Sequence, residues 1–218
     1  PVVSSTEIEI RLQRVLLKVQ KPGRYVGGEY NQVQKDWQSV DTRIALLFPE
    51  IYDIGLPNLG ISILYDAINR RSDSLAERAY LPWTDMEEEM RHVDIPLYTL
   101  ESKNPLTAFD IIGVSIPYET LYTNVLNAFD LAGIPFLAAD RDESFPLIVA
   151  GGHSTFNPEP MADFLDAIFL GDGESVMENL LSIWQEWKRS GESKTRLLER
   201  LARIEGMYIP SFYDIRYD

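Results

Sequence analysis

Apolar positions recur along this chain in two rhythms, one helical and one continuous. In residues 7–20, EIEIRLQRVLLKVQ, the spacing puts Ile8, Leu12, Val15, Leu16 and Val19 on one helical face. Pro22, Gly23, Gly27 and Gly28 break that pattern and predict a loop or collar. Residues 43–49, RIALLFP, are almost wholly apolar, as a strand covered on both faces should be. Leu59, Ile63, Leu64, Ala67 and Ile68 then return to helical spacing. The alternation continues with strands over 44–48, 75–80, 111–115, 147–150 and 167–170. Between and after them, helices are predicted over 84–92, with Thr84 as N-cap, and over 123–132, closed by Gly133. Others follow near 158–165, over 174–190 and near 194–204. On the long helix, Trp184 and Trp187 read as a packing face.

Strands spaced by helices signify βαβ units, right-handed crossovers and helices on both faces of a sheet. The expectation is an α/β fold of flavodoxin-like or Rossmann type, with five mainly parallel strands. An N-terminal helix and collar occupy 1–40, the α/β domain 41–190, and a C-terminal helix and linker 191–218. Ligands of such sheets bind beyond the carboxyl ends of the strands, here 49–60, 82–85, 116–120, 151–157 and 171–174.

Composition removes several function classes. The 218 residues carry 20 basic and 34 acidic side chains, for a net charge of −14. A nucleic-acid backbone or an anionic membrane would need clustered Lys and Arg, so neither is an expected partner. No apolar run is long enough to span a bilayer, and residues 1–10 lack the pattern of a signal peptide. A cytoplasmic protein is the default, and a start without Met reads as a trimmed chain. There is no cysteine, which rules out disulfides, thiolate nucleophiles and iron–sulfur ligation by this chain.

Glycines and small polar residues dominate the strand ends. Gly55 and Gly60 follow the first strand without forming a GxGxxG fingerprint, and no GxxxxGK[ST] occurs anywhere. Ser115 and Tyr118 follow the third strand, in GVSIPYET, with Glu119 and Thr120 beside them. Gly151 and Gly152 follow the fourth and precede His153, removing side chains where a flat or bulky ligand would lie against the sheet edge. Gly171, Gly173 and Glu174 follow the fifth, in FLGDGES, where exposed N–H groups can meet a polar ligand edge. A Ser–His–Asp hydrolase lacks its GxSxG elbow here. His92 falls in a helix C-terminal turn, a structural place. These nine residues, Gly55, Gly60, Ser115, Tyr118, Gly151, Gly152, Gly171, Gly173 and Glu174, are the candidate cofactor-binding set. No catalytic or metal-ligating residue is assigned.

Taken in order, DIGLPNLGISILY, DIIGVSIPY and LIVAGGHSTFNPEPMADFLDAIFLGDGE resemble the cobalamin-binding-type domain that precedes the catalytic barrel in many radical SAM proteins. A stretch like PGRYVGGEYNQVQKDW and a segment like YTNVLNAFDLAGIP are similar to one radical SAM family of undefined substrate, over about residues 22–215. The resemblance implies an accessory domain whose partner is a C-terminal radical SAM domain of the same protein. That domain would carry the [4Fe–4S] cluster and bind S-adenosylmethionine. GMYIPSFYDIRYD resembles the segment leading into that barrel, so the chain is expected to stop before it and to have no catalysis of its own. Two departures stand out. The loop that in cobalt-ligating members reads Asp-x-His-x-x-Gly is here YDIGLPNLG, with no imidazole, and CxxxCxxC is absent. Cobalamin could therefore bind only without histidine ligation, and the missing histidine favours a domain that shapes a substrate channel or docks a partner instead. The alternative from another class is a free-standing flavodoxin-like module. It lacks both the Ser/Thr-rich phosphate loop of a flavin protein and the phosphorylatable Asp of a receiver domain.

Overall fold

The computed structural model describes residues 3–171 and 173–213, with the side chains at 174 and 175 left aside. Strands β1 (Thr42–Ile51), β2 (Ser74–Leu81), β3 (Ile111–Ser115), β4 (Leu147–Gly151), β5 (Ala167–Phe169) and β6 (Met207–Tyr208) form one sheet in the order β2-β1-β3-β4-β5-β6. The first five run parallel, and β6 pairs antiparallel with β5. The parallel part has the flavodoxin-like order that the alternation implied. The sixth strand corrects the five-strand expectation: Met207 and Tyr208 lie in the segment read as a linker. Leu170 leaves β5 by donating its N–H to Gly206 O at 2.8 Å, which draws the later segment alongside.

The sheet divides the core in two, because successive strand residues point to opposite faces. On one face α1 (Ser5–Val15), α4 (Thr84–His92) and α5 (Tyr122–Ala132) cover Ala45, Leu47, Ile112, Val114, Ile148 and Ala150. On the other, α3 (Leu59–Asn69), α6 (Gly173–Ser190) and α7 (Lys194–Leu201) cover Ile44, Leu46, Ile111, Val149 and Phe169. Each such Leu or Ile contributes roughly 1.5–3 kcal/mol by leaving water. Trp184 belongs to the second core, its ring 4.9 Å from that of Trp187.

Local chemistry sets the helix ends. Helix α1 begins at Ser5 because Ser4 and Glu7 form a capping box, and it stops at Val15, short of the predicted Val19. Thr84 is the first residue of α4 rather than its cap; Trp83 precedes it and gives no side-chain cap. Gly133 closes α5 with φ +67°, as expected. Residues 159–164 wind as a 3₁₀ helix.

Polar anchors, none of them evident in the apolar pattern, fix the loops. The Lys35 ammonium donates to the carbonyls of Asn69, Arg71 and Ser74 at 2.5–2.8 Å and so caps the carboxyl end of α3. Edge strand β2 buries Glu77 and Arg78. Arg78 pairs with Glu101 at 2.7 Å, and Glu77 accepts from Thr99 and Ser102 hydroxyls at 2.5 and 2.6 Å. Burial pushes the Glu77 carboxyl up. At the amino ends of β4 and β5, Asp166 accepts from Ile148 N at 2.8 Å and holds Lys194 at 2.9 Å and Arg141 at 3.3 Å. No helix of the described residues is long and apolar enough to cross a membrane.

Candidate functional site

One cleft runs along the second face of the sheet, under α3 and α6, with a volume of ≈ 280 Å³. Its floor follows from the period-two alternation. Ile44 and Leu46 of β1, Ile111, Gly113 and Ser115 of β3, and Val149 and Gly151 of β4 all point the same way. The register sets Leu46 beside Gly113, Gly113 beside Val149, and Ser115 beside Gly151. The smallest side chains therefore meet along β3 and β4, and the floor sinks there. Gly60 and Leu64 of α3 form one wall, and Gly173, Val176 and Leu180 of α6 the other. Among the described lining residues Ser115 carries the one hydroxyl, and none has a titratable side chain.

Six of the nine candidate residues line this cleft: Gly60, Ser115, Gly151, Gly152, Gly171 and Gly173. Gly55 does not; it is buried where a β-carbon would run into the ring of Tyr80, so its size is set by packing. Tyr118 follows β3 at the same sheet edge but stays outside the lining, 38% exposed. The Glu174 side chain lies outside the described residues. Sequence reading missed Gly113. Its signal was available: a glycine in mid-strand, two residues before Ser115, marks a place where something approaches the sheet closely.

The two glycines ahead of His153 do different things. Gly152 has φ +123°, and a β-carbon there would stand 2.7 Å from the backbone of Ile116. The chain itself requires that glycine. Around it the turn is tied down on both sides: Ser154 Oγ donates to Ile116 O at 2.7 Å, and Thr155 Oγ1 to Gly152 O at 2.7 Å and Phe169 O at 3.2 Å. Gly151 is the opposite case, since a β-carbon there would meet only Phe169 O, at 3.9 Å. His153 is exposed, outside the cleft, its ring 6.0 Å from that of Phe156. Among the described residues no group of three or more His, Asp or Glu side chains is placed to hold a metal ion.

A tyrosine cluster borders the carboxyl ends of β1 and β2. Tyr52 hydrogen-bonds Glu29, and burial together with that carboxylate pushes its hydroxyl up to about 12. Tyr80, edge-on to Tyr52 at 5.8 Å, is raised as well, chiefly by burial. Both phenols stay protonated at neutral pH and act as packing groups.

No curated protein and no solved structure matches the chain. Residues 60–210 match the family model described as radical SAM proteins, N-terminal. That span runs from the amino-terminal turn of α3 through β6, so it takes in both walls of the cleft and β3 to β5 of its floor. The chain belongs to the family of radical SAM protein N-terminal domains.

Proposed function

We propose that this accessory domain binds a corrinoid at the carboxyl edge of its sheet, the nucleotide tail of the ligand lying in the cleft between α3 and α6. The observation that supports this reading is the shape of the floor. Gly113, Ser115 and Gly151 leave a trough that continues to Ile111, four residues below Ser115, or roughly 13 Å along the strand. A flat heterocycle suits such a slot, and the apolar walls would keep water from it. The cleft lining could hold a tail but would offer cobalt no imidazole, because the loop 52–60 has no histidine and His153 lies outside the cleft. When bound, a corrinoid supplies a metal centre able to carry a methyl group or an electron; this chain's residues bind, orient and shield it.

A second reading is favoured by the apolar rim of that edge. Ile54 and Leu59 after β1, Tyr118 after β3 and Phe156 after β4 are all exposed, Leu59 by 71% and Phe156 by 66%. In this reading the rim docks the catalytic radical SAM domain of the same protein and the cleft shapes its substrate channel.

Gel filtration of the chain mixed with hydroxocobalamin separates the two. Colour eluting with the protein, lost in Gly151→Leu and kept in His153→Ala, is the expected result. Elution of colourless protein would reject corrinoid binding and leave the docking role.

A further inference from the structure

We infer, on the docking reading above, that the carboxyl edge of the sheet receives a face of the catalytic domain that is apolar at its centre and basic around it. Charge at this edge is of one sign. The segment after β1 brings Glu50 and Asp53, the first turn of α4 brings Asp85, and the turn after β3 brings Glu119. None of the segments 49–60, 82–85, 116–120 and 151–157 contains a Lys or Arg, and residues 170–174 of the sequence add none. Two cations reach the edge from the collar, Lys21 and Arg24, and both pair with Asp53. Glu50 accepts from Ile51 N at 3.0 Å, and Asp85 from Gln20 N at 2.6 Å and Met86 N at 2.7 Å. Those are backbone amides. Among the described residues Glu50, Asp85 and Glu119 have no cationic partner within 4.0 Å.

Among these carboxylates stand the exposed side chains of Leu59, Trp83, Tyr118 and Phe156. Apolar groups with charge around them are the anatomy of an interface: the centre holds the partner, and the rim chooses it and steers its approach. The sign of the rim narrows the choice. A second copy of this chain would set the same carboxylates against one another, and a polyanion would meet like charge. Lys and Arg satisfy both features of the edge, because their stems lie along apolar surface while their heads reach the carboxylates.

The test is backbone hydrogen exchange over residues 54–59, 117–120 and 153–157, in the full-length protein and in this chain alone. Docking slows exchange there, and the fold of slowing follows the docking equilibrium. The full-length protein should exchange more slowly. That slowing should shrink as salt rises from about 0.01 to about 1 M and the screening length falls from roughly 30 to roughly 3 Å. Glu50→Gln combined with Glu119→Gln should reduce it at least about two-fold at low salt and flatten the salt dependence. Leu59→Ser should reduce it at every salt concentration. Glu143→Gln, which lies before β4 at the opposite end of the sheet, should leave it unchanged. Slowing that ignores both salt and the paired substitution, yet falls in Leu59→Ser, overturns the basic partner face and leaves docking standing. An equal loss in Glu143→Gln shows net charge at work instead of this edge and overturns the inference. No slowing at any salt concentration overturns both the inference and the docking reading.

Discussion

Gly151 and Gly152 are neighbours with opposite reasons for lacking a side chain, and substitution separates them. At Gly152 any β-carbon meets the Ile116 backbone and φ is unfavourable, so Gly152→Ala should lower stability by about 1–3 kcal/mol in denaturant unfolding. At Gly151 there is room, so Gly151→Leu should keep the fold, read by an unchanged unfolding midpoint, while filling the cleft. If Gly151→Leu unfolds the chain and Gly152→Ala does not, the assignment is reversed. A second residue-scale expectation concerns Asp73, whose carboxyl is held down to about 2 by Arg71, at 2.9 Å, and by the Ser74 hydroxyl. A depressed carboxyl stabilises the fold above its ordinary value of 3.8, and that contribution is lost as pH falls through about 2. Asp73→Asn should remove about 1 kcal/mol at neutral pH, allowing for solvent screening of a partly exposed pair, and should flatten the acid limb of the stability curve.

Among the elements, the junction of β4, β5 and α7 depends on one carboxylate. Asp166 serves Ile148 N, Lys194 and the fully buried Arg141 guanidinium, which also donates to the carbonyls of Pro135, Phe136 and Phe164 at 2.9 Å each. Asp166→Ala strands two cations, one of them without water, and should cost about 3–5 kcal/mol in thermal or denaturant unfolding. A change below about 1 kcal/mol would show that water replaces the carboxylate there. The collar depends on Lys35 in a similar way. Lys35→Met keeps the stem and removes three hydrogen bonds to the carbonyls of Asn69, Arg71 and Ser74, between the end of α3 and the start of β2, and faster proteolysis between residues 22 and 38 should report its release.

For the whole molecule, the absence of cysteine decides one outcome. Iron–sulfur reconstitution of this chain followed by reduction in the presence of S-adenosylmethionine should yield no 5′-deoxyadenosine, because no thiolate can hold the cluster. Any product above background would overturn the accessory role. The net charge of −14 belongs to the same scale and opposes contact with polyanions.

Period and punctuation determined the layered α/β fold, since apolar strand runs and helical faces are local properties that a single chain displays. They also located the glycine-rich strand ends, because a parallel sheet brings all those ends to one edge. The end of α1 at Val15 instead of Val19 and the strand hidden at Met207–Tyr208 needed tertiary structure. The Ser4–Glu7 capping box sets where α1 begins and leaves its end to the packing around it, and a two-residue strand forms only when Gly206 is drawn against Leu170. The cleft needed it too. Gly55, Gly151 and Gly152 look alike in the sequence, yet Tyr80 closes the first, open space surrounds the second, and the Ile116 backbone presses on the third. What a missing side chain makes room for is set by atoms brought there from other strands, and local sequence does not contain them.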